Sequence, residues 1–277
     1  MKKYLGLLVT ALLITFLAAC GSSEKEDGNG SDDSKTITIG AAVIPHSEVL
    51  EKAKPILEEK GIELVIEEYD DYILPNRDLE EDRLDANYFQ HTPYLEGQIE
   101  EFGYDFVSLG GIHIEPIGIY SKSVSSVEEI PEGTVVIMSS SEADRGRILS
   151  LLARDGVITL KEGTDNLTAD FDDIAENPLN LEFDDSIEPA LLPEYYNREE
   201  DALVAINTNY AIEAGLLPTE DALLLEGSES PYANLIVTKS ENKDNEALQT
   251  LVEVLRSEEI QTFMKEEYNG AIVPVSE

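Results

Sequence analysis

Among 277 residues there is one cysteine, Cys20, so no internal disulfide can form. Histidine is almost as scarce, and His46, His91 and His113 are too scattered to match a zinc-binding motif. The chain has no Gly-x-Ser-x-Gly elbow and no glycine-rich phosphate loop, and Ser139-Ser140-Ser141 has no motif partner. Catalysis needs a nucleophile and a base in reach of one another. No motif supplies that pair, and the chain reads as a non-enzyme without cofactor or metal. Basic side chains are also few: 19 Lys and Arg face 58 Asp and Glu, a formal charge of -39. Phosphate contacts need clustered cations, so nucleic acid is excluded as a partner. Long apolar runs are missing too, since Leu5 to Phe16 falls short of the about 20 residues that span a bilayer.

What is present starts with that short run. Lys2 and Lys3 precede it, and Leu17-Ala18-Ala19-Cys20-Gly21 follows it. A basic start, a short apolar stretch and small residues at the cut describe a secretory signal over residues 1–19. Leu-Ala-Ala-Cys resembles the lipobox of bacterial lipoproteins, which implies lipid on Cys20. That modification leaves no free thiol, and two acyl chains hold a protein at a membrane without a spanning helix. The expected location is the extracytoplasmic face of the cell membrane. Residues 20–35 carry the anchor and a tether, because GSSEKEDGNGSDDSK has no apolar residue to bury.

From Thr36 onward the apolar content suffices for a core, with 42% hydrophobic residues in the whole chain. Thr36 to Ala42 reads as a buried strand, and Ser47 reads as the cap of a helix whose apolar positions Val49, Leu50, Ala53, Ile56 and Leu57 keep a 3.6 period. Ile62 to Ile66 is the next strand, which completes a βαβ unit and predicts a parallel sheet. The alternation continues. Helices are expected over Pro93–Phe102, Glu142–Arg154, Asn209–Ala214, Ala247–Leu255 and Ile260–Tyr268. Strands are expected at 107–109, 112–120, 134–138, 203–206 and 234–238. Ile114–Tyr120 and Tyr232–Thr238 read as apolar strands crossing between two α/β lobes, with a ligand cleft between the lobes. Lobe 1 is then 36–117 with 236–277, and lobe 2 is 118–235.

Several stretches resemble one family. They are Pro45-His46-Ser47-Glu48-Val49-Leu50, the run Leu84-Asp85-Ala86-Asn87-Tyr88-Phe89-Gln90-His91-Thr92-Pro93-Tyr94-Leu95, Gly111 to Ser121, Ala205 to Ala211, and Ser230-Pro231-Tyr232-Ala233-Asn234. Together they are similar to the methionine-binding lipoproteins of ABC importers, the MetQ or NlpA family. The resemblance implies a periplasmic-binding-protein fold of type II character, a monomer that closes on L-methionine or a close relative. It also implies delivery to an ABC permease with its ATPase. The family's aromatic and histidine wall corresponds to Tyr69, Tyr88, His91 and Tyr94. Its carboxylate-binding arginine corresponds to Arg147 of Gly146-Arg147, and its binding asparagines to Asn207 and Asn234.

The chemistry of these residue types agrees with that role. A guanidinium offers a carboxylate two parallel hydrogen bonds, an asparagine both accepts and donates, and aromatic rings favour a thioether. One departure stands out. Where the family carries Pro-Asn-Asp-Pro-Thr-Asn, this chain has Ser139 to Arg145, so a family asparagine becomes Asp144. Asp144 can take a ligand ammonium, or pair with Arg147 and weaken carboxylate capture. Leu74 departs as well, standing where relatives often have glutamine. Plain alternatives stand beside the site residues: Tyr88 as core, His91 or Asn207 as a helix cap, Arg147 in a surface ion pair. For the whole chain the alternatives are the same fold holding a methionine-containing dipeptide or another amino acid, or a surface scaffold lipoprotein without transport.

Overall fold

The computed structural model describes residues 35–227 and 231–275. The signal segment, Cys20 and the tether up to Ser34 lie outside the described residues. Strands β1 (Lys35–Ala42) and β2 (Ile62–Tyr69) bracket the helix Glu48–Glu59 and pair in parallel, Lys35 opposite Ile62 through Ala42 opposite Tyr69. The remaining strands are β3 (Ala86–His91), β4 (Phe106–Ile114), β5 (Gly118–Tyr120), β6 (Val135–Ser139), β7 (Thr159–Leu160), β8 (Ile174–Glu176), β9 (Glu182–Ile187), β10 (Leu203–Ile206), β11 (Leu224–Leu225), β12 (Ala233–Lys239) and β13 (Val273–Pro274). They form a six-stranded sheet in the order β13-β4-β12-β3-β1-β2 and a five-stranded sheet in the order β11-β5-β10-β6-β9, with β7 and β8 as a separate pair.

Apolar clusters lie on both faces of each large sheet, which is why the inner strands β6, β10 and β12 read as apolar runs. In the first sheet Ile37, Ile39 and Ala41 pack with Val49, Leu50, Ala53 and Leu57 of the helix Glu48–Glu59. The C-terminal helices Glu246–Leu255 and Glu258–Glu267 join the same core through Leu248, Leu251, Leu255, Ile260 and Met264. The second sheet divides by the two-residue period of a strand. Val136, Met138 and Ala205 face Ile148, Leu149 and Leu152 of the helix Glu142–Arg154. Ile137, Val204 and Ile206 face Leu192 and Tyr210.

The chain passes between the sheets twice, and the first passage is not itself a strand. The expected strand Ile112–Tyr120 is interrupted at Glu115, Pro116 and Ile117, between β4 and β5. Pro116 has no N–H to give a ladder. The return runs from β11 to β12, and Tyr232–Thr238 does not cross, because β12 belongs wholly to the first sheet between β3 and β4. Ser47 also differs from expectation. Its backbone is already helical and its side chain makes no cap bond; Oγ lies 2.6 Å from the Val43 carbonyl and 2.8 Å from Glu68.

Candidate functional site

The cavity opens where strands end and helices begin, the usual place for ligands in α/β sheets. From the first sheet it receives Phe89, Gln90 and His91 at the end of β3, Tyr94 from the helix Thr92–Phe102, Tyr72 from the loop after β2, and Asn234 at the start of β12. Register places Asn234 opposite His91 on one side and opposite His113 on the other. From the second sheet come Ser141, Asp144 and Arg147, spaced by three along the start of the helix Glu142–Arg154 and so on one face. Asn207 and Thr208 follow β10, and Glu115 lies on the first passage.

Arg147 reaches this wall because of Gly146. A Cβ there would lie 2.7 Å from the Leu167 carbonyl oxygen, so only glycine lets the 167–169 backbone close against the helix. Arg147 is 5% exposed. Its Nε and Nη2 both donate to Glu226 Oε2, with Nε at 2.9 Å, and Nη2 also donates to the Glu115 carbonyl at 2.5 Å. The guanidinium stacks 4.3 Å from the Tyr232 ring centre. Nη1 takes no part in these bonds.

Asp144, 2% exposed, accepts from Asn207 Nδ2 at 3.2 Å. His91 Nε2 stands 3.9 Å from Asp144 Oδ1, beyond hydrogen-bond reach but close enough to favour the anion. Burial pushes the Asp144 carboxyl up, yet His91, Arg147 and the Asn207 amide outweigh it and hold the group below the usual carboxylate range. Asn207 does not cap the helix it precedes. With Nδ2 given to Asp144, its buried Oδ1 has no hydrogen-bond partner. His91 does cap: Nδ1 accepts from the Tyr94 N–H at 3.3 Å, which leaves the proton of a neutral ring on Nε2.

Beneath the polar end lies a buried cluster. Glu115 Oε1 lies 2.7 Å from His113 Nε2 and 3.2 Å from His46 Nε2, and Tyr88 OH bonds His113 Nδ1. His46 Nε2 also faces Asn234 Oδ1 at 3.2 Å. Burial lowers the His46 pKa to about 4, against the pull of Glu115. Burial likewise opposes ionisation of Glu115, but the two histidines and Arg147 hold its carboxyl below the usual range. One nitrogen of His46, one of His113 and an oxygen of Glu115 lie within 4.8 Å of one another, as a divalent cation would need. Each is engaged at hydrogen-bond distance with another member, and hydrogen bonding accounts for the set.

Six of the eight expected ligand residues thus surround one cavity: His91, Tyr94, Asp144, Arg147, Asn207 and Asn234. Two do not, and correct the expectation. Tyr69 sets its ring against Gly40, where a Cβ would meet it at 2.9 Å, and its hydroxyl donates to Asp78 at 2.6 Å. Tyr88 points to the opposite face of β3 from His91 and is fully buried beside His46 and His113. Their places on the aromatic wall are taken by Tyr72 and Phe89, whose ring centres are 5.9 Å apart and which both neighbour Tyr94. A strand reading of 86–91 would have found Phe89, since it shares a face with His91 at two residues' distance. Tyr72 OH donates to Asn209 Oδ1 at 2.5 Å, and Tyr94 OH to the Tyr72 carbonyl at 2.9 Å. Gln90, Glu115, Ser141 and Thr208 also line the cavity without having been expected there.

A buried guanidinium, amide side chains and an aromatic wall meet between the two α/β sheets, as suits a substrate-binding protein. Residues 37–276 match the NlpA lipoprotein family, and the chain belongs to it. The methionine-binding lipoprotein MetQ of Bacillus subtilis (strain 168) is 40% identical over 283 residues, covering 100% of both chains. Among solved structures, a nutrient binding protein from Burkholderia cenocepacia bound to methionine is 38% identical with a TM-score of 0.81, over 86% of this chain and 99% of that one. An ABC transporter periplasmic substrate-binding protein from Coxiella burnetii is 35% identical, TM-score 0.81, over 86% and 100%. The family is one of binding lipoproteins, not of enzymes. Among the described residues no helix is long and apolar enough to cross a membrane.

Proposed function

We propose that this protein captures methionine, or a close relative, as the lipid-anchored binding component of an ABC importer. Cys20 carries the anchor on the extracytoplasmic face, and the loaded protein delivers its ligand to the permease. The observation that carries this reading is the division of the cavity wall. Arg147 offers Nη1 to a carboxylate, Asp144 and the unpartnered Asn207 Oδ1 offer acceptors to an ammonium, and Tyr72, Phe89 and Tyr94 offer rings to an unbranched thioether. Sulfur-to-ring contacts contribute about 0.3 to 1.5 kcal/mol each. In this reading Asp144 takes the ammonium rather than neutralising Arg147, because Glu226 already pairs with the guanidinium.

The test is thermal unfolding of residues 36–277, unfolded and refolded first to strip bound ligand, across the amino acids and methionine-containing dipeptides. Methionine at a hundredfold excess over Kd stabilises by about 2.7 kcal/mol. A shift with a dipeptide or another metabolite alone overturns the ligand, and no shift with any of them favours a scaffold.

A further inference from the structure

The cavity's two asparagines are held in opposite senses, each by a carboxylate. Asp144 can only accept when ionised, so Asn207 presents Nδ2 to it and keeps a buried, unpartnered Oδ1 beside the cavity that Asn207 lines. Asn234 is governed at one remove. His46 Nε2 faces Glu115 Oε1 at 3.2 Å, and a carboxylate beside a neutral ring requires the ring proton on that nitrogen. The opposite tautomer would aim a lone pair at the carboxylate and bury a donor at Nδ1, which has no hydrogen-bond partner. With Nε2 a donor, the Asn234 atom 3.2 Å away must be the acceptor Oδ1. Its NH2 group is then the end turned to the cavity it lines. The same residue places the guanidinium, because the Glu115 carbonyl accepts from Arg147 Nη2.

Resting on the cavity being the zwitterion site proposed above, we propose that His46, though outside the cavity wall, is a positioning residue for ligand polarity. It passes the charge of Glu115 to Asn234 as a fixed amide orientation. Asn234 and Arg147 thereby present donors and take the ligand carboxylate. Asp144 and Asn207 present acceptors and take the ammonium.

The experiment compares wild type, His46→Leu and His46→Gln by calorimetric titration with L-methionine and with L-methioninol, which keeps the ammonium and thioether and lacks the carboxylate. His46→Leu frees the Asn234 amide and weakens methionine by about ten- to hundredfold, while methioninol affinity stays within about twofold. His46→Gln sets an amide nitrogen about where Nε2 stood and restores methionine binding. Equal losses for both ligands, or no loss for methionine, overturn the assignment. Long-range 1H–15N correlation on wild type reads the tautomer without any variant: a bare Nδ1 with protonated Nε2 is expected, and protonated Nδ1 alone overturns it. Wild type that binds no amino acid fails the reading of the cavity, and the tautomer still decides the His46 arrangement.

Discussion

Replacing Asp144 with asparagine removes one charge from the cavity wall and changes its shape very little. In the native arrangement the carboxylate is buried, faces His91 at 3.9 Å and holds the Asn207 amide at 3.2 Å. A ligand ammonium bonded to it is a charge-assisted pair, worth about 1.5 to 3 kcal/mol net. An asparagine carbonyl keeps a neutral acceptor, but its own NH2 can rotate towards the ammonium, and Asn207 loses the anion that fixed its orientation. Methionine affinity at neutral pH is therefore expected to fall about ten- to hundredfold. Calorimetric titration of stripped protein measures it, with 4-methylthiobutyrate as a control that lacks the ammonium and should gain rather than lose. Unchanged affinity for methionine would place Asp144 outside the site and refute the argument.

Two further outcomes follow from burial and packing. His46 has a folded pKa of about 4 against 6.5 when free, so the unfolded chain binds the extra proton between those values and stability rises with pH there. The contribution, on the order of 3 kcal/mol, is fully present above about pH 6.5 and lost by about pH 4; a Tm series over that window should flatten in His46→Gln. Gly146→Ala should destabilise by about 1 to 3 kcal/mol and weaken methionine binding, since its Cβ meets the Leu167 carbonyl carbon and oxygen at under 3 Å; urea unfolding and titration together check it, and a neutral result would mean the 167–169 backbone yields easily.

The parts legible in the sequence were those set by local periodicity. Helix Glu142–Arg154 and strand Leu203–Ile206 have the bounds their apolar spacing predicts. Residues that act through distant partners were not legible. Glu115 sits in an ordinary-looking Glu-Pro step, and only the fold brings it against His46 and Arg147. Glu226 is one of 58 acidic residues until the fold lays it on Arg147. The aromatic substitutions have the same origin. Tyr69 and Tyr72 are interchangeable in composition, and the choice between them depends on where β2 ends and on Gly40 leaving room for the Tyr69 ring.

The charges of the site bear on what it admits. Arg147 is a single buried cation, and Glu226, Glu115 and Asp144 are carboxylates within its reach or beside its neighbours. A ligand with a carboxylate alone would add an anion to this set, with no new cation to offset its desolvation. A zwitterion adds none on balance, and on the proposed reading its ammonium meets Asp144 and Asn207 Oδ1 as acceptors. Removing Glu226 would strengthen the pull of Arg147 on any carboxylate, and in doing so would blunt the discrimination between amino acids and simple acids. On the proposed reading, the pairing of Glu226 with Arg147 lowers the cavity's affinity for anions in general, while the bonds from Nε and Nη2 keep the guanidinium aligned for one carboxylate at Nη1.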